Sequence, residues 1–376
     1  MRQRNKVLIL LPVFDLGGAE KQGLYIANSL QKSGEYEVEV WALQKGSGNL
    51  CKPLNDLNLR NKGLEIPFDS FYNRKKRLKV YWKFLWLLRK SKFDIIIPFT
   101  YHCNVLSAST FRFAGVKKCI WFQIAMEFHI PLSFFEKMAI KFKPIYAANS
   151  IAAASFIGEK HQVDLSKIAF IPNPFEPLEN KMSRADWRLK LNVNPEEIML
   201  FIAANFFPEK DHETLVKGFA MALKTHSNLK LILAGNQNNI ERVNKIKAKC
   251  FDLGLNLNHI LFIGSSDDIP GLISASDICL LTSVSEGSPN ALIEYMGYGK
   301  PIVASNIPAI SELLNPDYPF LFEKSNAADL SHKLIEIITK LETTDLDELI
   351  KNNQKCIINN YTIEANFKAF HKIIAI

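Results

Sequence analysis

The sequence holds little cysteine and no long apolar run. Its six cysteines form no CxxC pair, which excludes a zinc knuckle and a dense disulfide framework and predicts reduced, mostly buried thiols. No window approaches the roughly 18 uncharged apolar residues of a membrane-spanning helix. The short apolar run near the N-terminus leads into a Gly-Gly turn without a small-residue cleavage site, so it predicts a first strand and not a signal peptide. We therefore expect a cytoplasmic protein that could lie on the inner face of the cell membrane.

Two further absences narrow the function. The chain has no GxGxxG motif, which counts against a dinucleotide-dependent oxidoreductase, and no nucleic-acid-binding motif. Lys and Arg exceed Asp and Glu by a net charge of +8, an excess that suits anionic ligands such as phosphates or acidic lipid headgroups. Nucleic acid is therefore not expected as a partner.

What the chain does contain is a regular alternation of short β-branched runs and longer amphipathic segments. This rhythm is typical of βα units built around parallel sheets. The predicted strands are residues 6–13, 36–43, 62–68, 93–99, 117–124, 144–150 and 167–173 in the first half, and 198–206, 229–236, 259–266, 277–283 and 301–306 in the second.

The proline-rich segment 171–180 marks a boundary, because its three prolines can continue neither a helix nor a central strand. We predict an N-terminal domain over residues 1–175, a C-terminal domain over 176–361, and a closing helix over 362–376 that packs back on the first domain. In open parallel sheets ligands bind outside the carboxyl ends of the strands. Two such domains facing each other would form a cleft between them.

The most informative stretch, residues 283–305, follows a predicted strand. A helix is expected to begin near residues 288–290 and to run to about Gly297, with Glu286 in the loop before it and Glu294 on its first turns. Amides of residues 288–292 and the helix dipole would bind a diphosphate. The two carboxylates could accept hydrogen bonds from vicinal hydroxyls on either side of it.

Two other strand ends carry groups suited to phosphate. Lys210 follows the first strand of the second domain, where a lysine can neutralise a departing phosphate. The turn at Gly17 and Gly18 follows the first strand of the chain and lets backbone amides approach an anion closely. The alternative for Lys210 is a solvated lysine, and the alternative for Gly17 and Gly18 is a plain tight turn. Asp267 and Asp268 are interpreted as a loop pair and not as a metal site.

The string S-x-x-E-G-x-P-N-x-x-x-E of residues 283–294, followed by G-K-P-I-V-A-S, resembles the donor-site motif of retaining GT-B glycosyltransferases of family four. The resemblance implies an α/β fold with two Rossmann-like domains, of which the first binds the acceptor and the second the nucleotide-sugar donor. It implies that Glu286 contacts the transferred sugar and Glu294 the nucleotide ribose. The residues expected around the diphosphate are Gly287, Ser288, Pro289, Asn290, Ala291 and Leu292. Ser288 stands where the family usually has Phe.

The same resemblance assigns roles outside that string. Lys210 matches the diphosphate-binding lysine of the family, while Asn205 occupies the usual position of an arginine. The Gly17–Gly18 loop would approach the donor phosphate or the acceptor. On the acceptor side, Gln123 stands where related enzymes often carry a histidine important for transfer, and the candidates to replace it are His102, Glu127 and His129.

Residues 74–90 mix basic and aromatic side chains. As a helix, this segment places Leu78, Tyr81, Trp82, Leu85 and Leu88 on one face, and it places Lys79, Lys83, Trp86 and Lys90 on another. A basic face with an exposed tryptophan suits the surface of an anionic membrane. The alternative is a helix packed on the sheet with a solvated basic side.

The resemblance predicts an enzyme: a retaining, metal-independent glycosyltransferase that needs no cofactor beyond its substrate. Its donor would be a UDP- or GDP-sugar and its acceptor a glycan or lipid-linked sugar, in the synthesis of bacterial surface polysaccharide. Two alternatives remain open at this point. One is a nucleotide-sugar 2-epimerase of the same fold, and the other is a non-catalytic protein that binds a sugar nucleotide.

Overall fold

A computed structural model of the chain describes residues 4–15, 17–124, 132–341 and 343–375. Contacts within it divide the chain into two units. The first holds the residues up to Pro174 together with the terminal segment from Ile363, and the second holds Phe175–Thr362. The dividing point lies inside the proline-rich segment 171–180.

The first unit alternates strands and helices, as the sequence predicts. Its strands are β1 (Asn5–Val13), β2 (Tyr36–Gln44), β3 (Arg60–Gly63), β4 (Ile95–Pro98), β5 (Lys118–Gln123), β6 (Ile145–Ala148) and β7 (Ile168–Phe170). Its helices before the division are α1 (Gly18–Lys32), α2 (Cys51–Asp56), α3 (Arg74–Ser91), α4 (Tyr101–Ala114), α5 (Phe134–Lys141) and α6 (Ile151–His161). The strands pair in the order β3-β2-β1-β4-β5-β6-β7, and the recorded pairings are parallel.

The second unit repeats the arrangement. Its strands are β8 (Ile198–Ala203), β9 (Leu229–Ala234), β10 (Ile260–Gly264), β11 (Ile278–Leu281), β12 (Ile302–Asn306) and β13 (Leu321–Glu323), paired in parallel in the order β10-β9-β8-β11-β12-β13. Its helices are α7 (Arg184–Lys190), α8 (His212–Leu223), α9 (Ile240–Asp252), α10 (Ile269–Ala275), α11 (Asn290–Gly297), α12 (Pro308–Leu314), α13 (Ala327–Thr339) and α14 (Thr344–Asn360). The last helix, α15 (Ile363–Ile374), belongs to the first unit.

The continuous apolar strands are explained by burial on both faces of each sheet. In β1, Val7, Ile9 and Leu11 pack in one cluster with α1 and α15, whereas Leu8 and Leu10 pack in another with α3 and α4. Successive side chains of a strand point to opposite faces, so a sheet covered by helices on both sides needs an apolar residue at every position. Strands such as β1 therefore offer few polar side chains to a ligand, and the candidate residues are sought at strand ends and in the loops that follow them.

Two strand predictions differ from the structure. The third strand was expected over residues 62–68, but β3 ends at Gly63 and a 3₁₀ turn begins at Phe68. Pro67 lacks the amide hydrogen that a ladder needs, and Glu65 adopts a positive φ of 51°, so the extended pairing cannot continue. The sequence prediction also missed β13, which is only three residues long.

The basic aromatic segment forms α3, and its buried face agrees with the predicted apolar face only at Tyr81 and Leu88. The residues that α3 buries are Val80, Tyr81, Phe84, Leu87 and Leu88. Leu78 and Trp82, which periodicity placed on the apolar face, are 47% and 69% exposed. The helix is rotated because its contacts are made with α4 and with the 3₁₀ turn Phe68–Phe71. In the described residues, no helix is both long and apolar enough to cross a bilayer.

In the acidic pair Asp267–Asp268, Asp268 has a structural role. Asp268 is 2% exposed and caps α10 by accepting a hydrogen bond from the Gly271 amide. It also accepts from the Trp187 indole at 2.7 Å and from the amides of Lys181 and Met182. Burial would raise the pKa of this carboxyl, but the hydrogen bonds outweigh it and hold the pKa below its usual range. Within the described part of the chain, no group of three or more His, Cys, Asp or Glu could hold a metal ion.

We predict that Asp268→Ala lowers the free energy of unfolding by about 3 kcal/mol, because it leaves a buried indole and several amides without an acceptor. Asp267→Ala is the matched control, since that side chain is 86% exposed and pairs only with Lys181. It should leave the urea midpoint unchanged. Equal midpoints for the two variants would contradict the structural role of Asp268.

Candidate functional site

The candidate site lies where β8 and β11 end, because these strands are neighbours in one parallel sheet. Two hydrogen bonds join the loops that follow them. The Thr282 hydroxyl donates to the Lys210 carbonyl at 2.8 Å, and the Val284 amide donates to the Glu209 carbonyl at 2.8 Å. The loop after β8 is thereby held against the loop before α11.

Lys210 and Glu286 form an ion pair between these two loops. The Lys210 Nζ lies 2.5 Å from Glu286 Oε1, and the Ser283 hydroxyl donates to the same oxygen at 2.6 Å. The lysine side chain is 25% exposed and the glutamate side chain 10% exposed. The pair is therefore held in place yet open to a ligand, and an arriving phosphate would compete with Glu286 for the ammonium group.

Helix α11 is fixed next to these residues by Tyr295. The phenol oxygen of this fully buried residue accepts a hydrogen bond from the Ala203 amide at the end of β8, at 2.7 Å. The helix begins at Asn290 with Pro289 at its N-cap and ends at Gly297, within the bounds that the sequence predicts.

One member of the expected diphosphate site, Leu292, already has a hydrogen-bond partner within the protein. The amide of Leu292 donates to the Pro289 carbonyl at 3.0 Å inside the first turn, and the side chain is fully buried. The Leu292 side chain is therefore part of the core, and a contact between its backbone and a diphosphate stays a prediction. The other expected residues, Gly287, Ser288, Asn290 and Ala291, are partly exposed, whereas Pro289 is buried. Whether they surround a diphosphate stays a prediction.

Glu294 lies on α11 and is partly buried. Its carboxylate is close enough to Tyr298 to contribute, after burial, to the raised pKa of that phenol. The Tyr298 hydroxyl in turn holds the backbone of Leu178 through hydrogen bonds to its amide and carbonyl. Glu294 thus lies in the middle of α11, whereas Glu286 precedes the helix. Its role toward a ribose stays a prediction.

Asn205 is exposed and its side chain is oriented by the loop after β9. Its Oδ1 accepts the Asn236 amide at 2.8 Å, which leaves the amide nitrogen as the end that can donate. The two loops approach so closely that a Cβ on Gly235 would lie 2.0 Å from the Ala204 carbonyl oxygen. Asn205 can therefore offer a hydrogen bond to a ligand but no positive charge.

The Gly17–Gly18 turn begins α1, with Gly17 at its N-cap. The carboxylate of Glu20, a residue only 7% exposed, accepts hydrogen bonds from the amide of Gly17 and from its own amide. Burial raises the pKa of Glu20, and Asp15 adds to the effect. The anion expected at this turn is thus supplied within the protein by a carboxylate. An external phosphate at Gly17 and Gly18 stays a prediction.

The acceptor-side candidates are found in different surroundings. His102 stacks on Phe71 with ring centres 4.7 Å apart, and burial lowers its pKa. Gln123 is 1% exposed and accepts from the Trp121 indole at 3.1 Å, so its side chain belongs to the interior. Glu127 and His129 lie outside the described residues.

Sequence reasoning missed a buried ionic network in the first unit. Glu136, fully buried, accepts from Tyr101 at 2.8 Å and pairs with Lys160 and His161 at 3.0 Å each. His161 also contacts the Tyr146 hydroxyl at 3.0 Å. The one local signal is the Ser133–Glu136 capping box at the start of α5, which predicts a helix but not its buried partners. Ser283 is the first residue of the motif string, but no separate role was predicted for it, because serine is common in loops.

A family match falls on the second unit. Residues 183–356 match the family described as glycosyl transferases group 1. The matched segment includes Lys210, Ser283, Glu286 and Glu294.

Two relatives and one solved structure extend the comparison. The chain is 23% identical over 292 residues to the UDP-Gal:alpha-D-GlcNAc-diphosphoundecaprenol alpha-1,3-galactosyltransferase of Escherichia coli, covering 74% of each chain. It is 27% identical over 159 residues to the N,N'-diacetylbacillosaminyl-diphospho-undecaprenol alpha-1,3-N-acetylgalactosaminyltransferase of Campylobacter jejuni, covering 42% of this chain and 39% of the relative. The structure of Anabaena Alr3699/HepE in complex with UDP matches with a TM-score of 0.82 and 19% identity, over 98% of this chain and 99% of the other. The predicted GT-B fold is confirmed.

His212 makes the loop after β8 sensitive to acid. It is the first residue of α8, fully buried, and stacked on Phe206 with ring centres 4.3 Å apart. Burial, followed by the positive charges of Arg242 and Lys210, lowers the pKa of His212 to about 4. The folded protein therefore resists a proton that the unfolded chain accepts near pH 6.5.

Because the folded pKa lies below the unfolded value, the free energy of unfolding is expected to fall as the pH drops below about 6.5. Between pH 7 and pH 5 the loss from His212 should be about 2 kcal/mol. The His212→Phe variant should lose this part of the pH dependence in urea titrations, while His332→Asn, which changes an exposed histidine, should retain it. An unchanged pH slope in His212→Phe would refute the assignment.

Proposed function

We propose that this chain transfers a sugar from a UDP- or GDP-sugar to a lipid-linked saccharide, with retention of anomeric configuration and without a metal ion. The match of residues 183–356 to the family described as glycosyl transferases group 1 supports the proposal. The observation that carries the proposal is the junction of Lys210, Ser283 and Glu286 at the ends of β8 and β11. A nucleotide-sugar donor has a diphosphate leaving group, which a cation can bind, and sugar hydroxyls, which a carboxylate can bind. Neighbouring loops hold such a cation and carboxylate together here.

The proposed chemistry begins with an exchange of partners. When a nucleotide sugar binds, the Lys210 ammonium turns from Glu286 to a phosphate oxygen and stabilises the charge that develops on the departing diphosphate. Glu286 is released to accept hydrogen bonds from hydroxyls of the transferred sugar, with Ser283 holding its carboxylate in position. Glu294, farther along α11, binds the ribose. Positive charge from Lys210 and from amides at the start of α11 takes the place that a metal ion has in other glycosyltransferases.

The acceptor proposal is supported by the relatives, both of which are named for diphosphoundecaprenol-linked acceptors. Such acceptors are used in the assembly of bacterial surface polysaccharides, which we propose as the setting. The proposed location is the cytoplasm, at the inner face of the cell membrane.

The α3 surface supports membrane contact. Lys79, Lys83, Trp86 and Lys90 are all exposed, with Trp86 at 60%, and Lys90 Nζ lies 5.3 Å from the centre of the Trp86 ring. Lys83 donates to the Leu64 carbonyl, so the three lysines contribute unequally. An exposed tryptophan with a lysine over its ring is suited to the headgroup layer of an anionic membrane.

A donor assay tests the function. The purified chain is first screened by thermal shift with UDP- and GDP-sugars, because a ligand bound by the native state raises the apparent stability. Transfer to a lipid-linked saccharide is then measured with the donor that binds. Donor conversion without an acceptor would instead support a 2-epimerase, and binding without turnover would support a non-catalytic sugar-nucleotide protein.

Replacement of Glu286 and replacement of Glu294 should affect different kinetic constants. We expect Glu286→Ala to lower kcat by about a hundredfold, since it acts on the reacting sugar, and Glu294→Ala to raise the donor KM by about tenfold, equivalent to about 1.4 kcal/mol. The control is Glu348→Ala, which removes an exposed carboxylate of α14 in the same unit. Unchanged kinetics in both site variants would eliminate the assignment.

Membrane contact is tested by sedimentation with liposomes of anionic lipid. Each lysine near such a surface contributes about 1 kcal/mol, so joint replacement of Lys79, Lys83 and Lys90 by Gln should lower the bound fraction at least tenfold at low salt. The matched control carries Gln at three exposed lysines of the second unit, namely Lys224, Lys351 and Lys355. Membrane contact is excluded if the two triple variants sediment alike.

A further inference from the structure

A cavity of about 390 Å³ opens in the first unit at the carboxyl end of β4. Its wall is mainly aromatic and includes Phe71, Tyr72, Tyr101 and His102. Thr100, also in the wall, adopts φ 71° and ψ 163°, a backbone conformation that is nearly restricted to glycine and costs about 1–3 kcal/mol. Such strain is retained where a site needs a particular backbone path.

Arg77 gives this cavity a positive charge. Among the described residues of its wall, Arg77 is the one permanent cation, and the wall contains no carboxylate. Its Nε is buried without a hydrogen-bond partner, and its Nη1 reaches the Phe71 carbonyl only at 3.4 Å. Because burial lowers the pKa of His102, that imidazole is neutral near pH 7. Arg77 as a whole is partly buried, and a guanidinium whose Nε lacks a partner is suited to a phosphate oxygen.

An apolar groove of about 400 Å³ adjoins the cavity along α3. The two share the rings of Tyr81 and Phe135, which stack with centres 3.8 Å apart. The groove is lined by Leu78, Leu85 and Met138, and its rim carries Trp82 and Phe134, which are 69% and 73% exposed. Exposed aromatic groups around an apolar groove mark a binding surface.

We propose that the cavity and the groove together bind one amphiphile, the lipid-linked acceptor, with its phosphate at Arg77 and its hydrocarbon chain against Trp82 and Leu85. This inference rests on the proposed function and adds the place at which the acceptor is held. The shared Tyr81–Phe135 wall favours a single ligand with both characters, because an apolar occupant alone would leave the Arg77 donors without a partner. The aromatic wall beside Arg77 also suits the stacking of a sugar ring.

The test uses farnesyl diphosphate as the probe and measures its Kd with the full chain by calorimetry. We expect farnesyl diphosphate to bind at least tenfold more tightly than either farnesol or inorganic pyrophosphate. Arg77→Met and Trp82→Gln should each raise the Kd at least tenfold. The controls are Arg74→Met, an exposed arginine on the same helix, and Phe251→Gln, an exposed aromatic residue of α9, and neither should change it. Trp82 is exposed, so its variant tests the groove even if Arg77→Met does not fold.

The proposal is overturned if Trp82→Gln binds farnesyl diphosphate as the parent chain does. It is equally overturned if that variant loses only liposome sedimentation, because the groove would then face the bilayer and not an acceptor chain. Donor thermal shifts provide the independent readout. A parent chain that binds farnesyl diphosphate but no nucleotide sugar contradicts the proposed function, whereas the reverse result contradicts only the acceptor site.

Discussion

The ion pair between Lys210 and Glu286 exists because two strands that are far apart in sequence are adjacent in one parallel sheet. The residues are separated by 76 positions, yet their side chains lie 2.5 Å apart where β8 and β11 end. Every other feature of the candidate donor site is arranged around this contact. Ser283 orients the carboxylate, the Thr282 and Val284 hydrogen bonds hold the loops together, and Tyr295 fixes α11 beside them.

The same constraint shapes the first unit. Its central strands β1 and β4 are mainly apolar on both faces, and polar groups lie beyond their carboxyl ends: Glu20 after β1, and Thr100 and His102 after β4. The two ends differ in charge. Beyond β1 a protein carboxylate accepts the turn amides, whereas the cavity beyond β4 contains Arg77 and no described carboxylate. The second of these is therefore the better place for an anion that comes from outside.

Much of the fold could be predicted because strands buried on two faces appear in the sequence as short apolar runs, which alternate with amphipathic helical segments. The strands β1, β2 and β8 and the bounds of α11 follow from local patterns. The rotation of α3 could not be predicted. The spacing of leucine and tryptophan residues along a helix is the same whether or not a neighbouring helix covers them. The hydrogen bond of the Leu292 amide could not be predicted either, because the hydrogen bonds of a first turn depend on where the N-cap falls, which here is Pro289. The role of Asp268 likewise depends on Trp187, which is distant along the chain.

The sequence by itself determined the α/β alternation, the positions of Lys210, Glu286 and Glu294 at or after strand ends, and the basic aromatic character of α3. These are local properties, written in periodicity, loop residues and charge. Tertiary structure alone decided that Lys210 pairs with Glu286 and that Ser283 donates to the same carboxylate. It also decided that Gln123 is interior and that Arg77 lies beside an apolar groove. Those outcomes depend on strand order and helix rotation, which are set by packing across the whole sheet. Neither can be predicted from the residue at any single position.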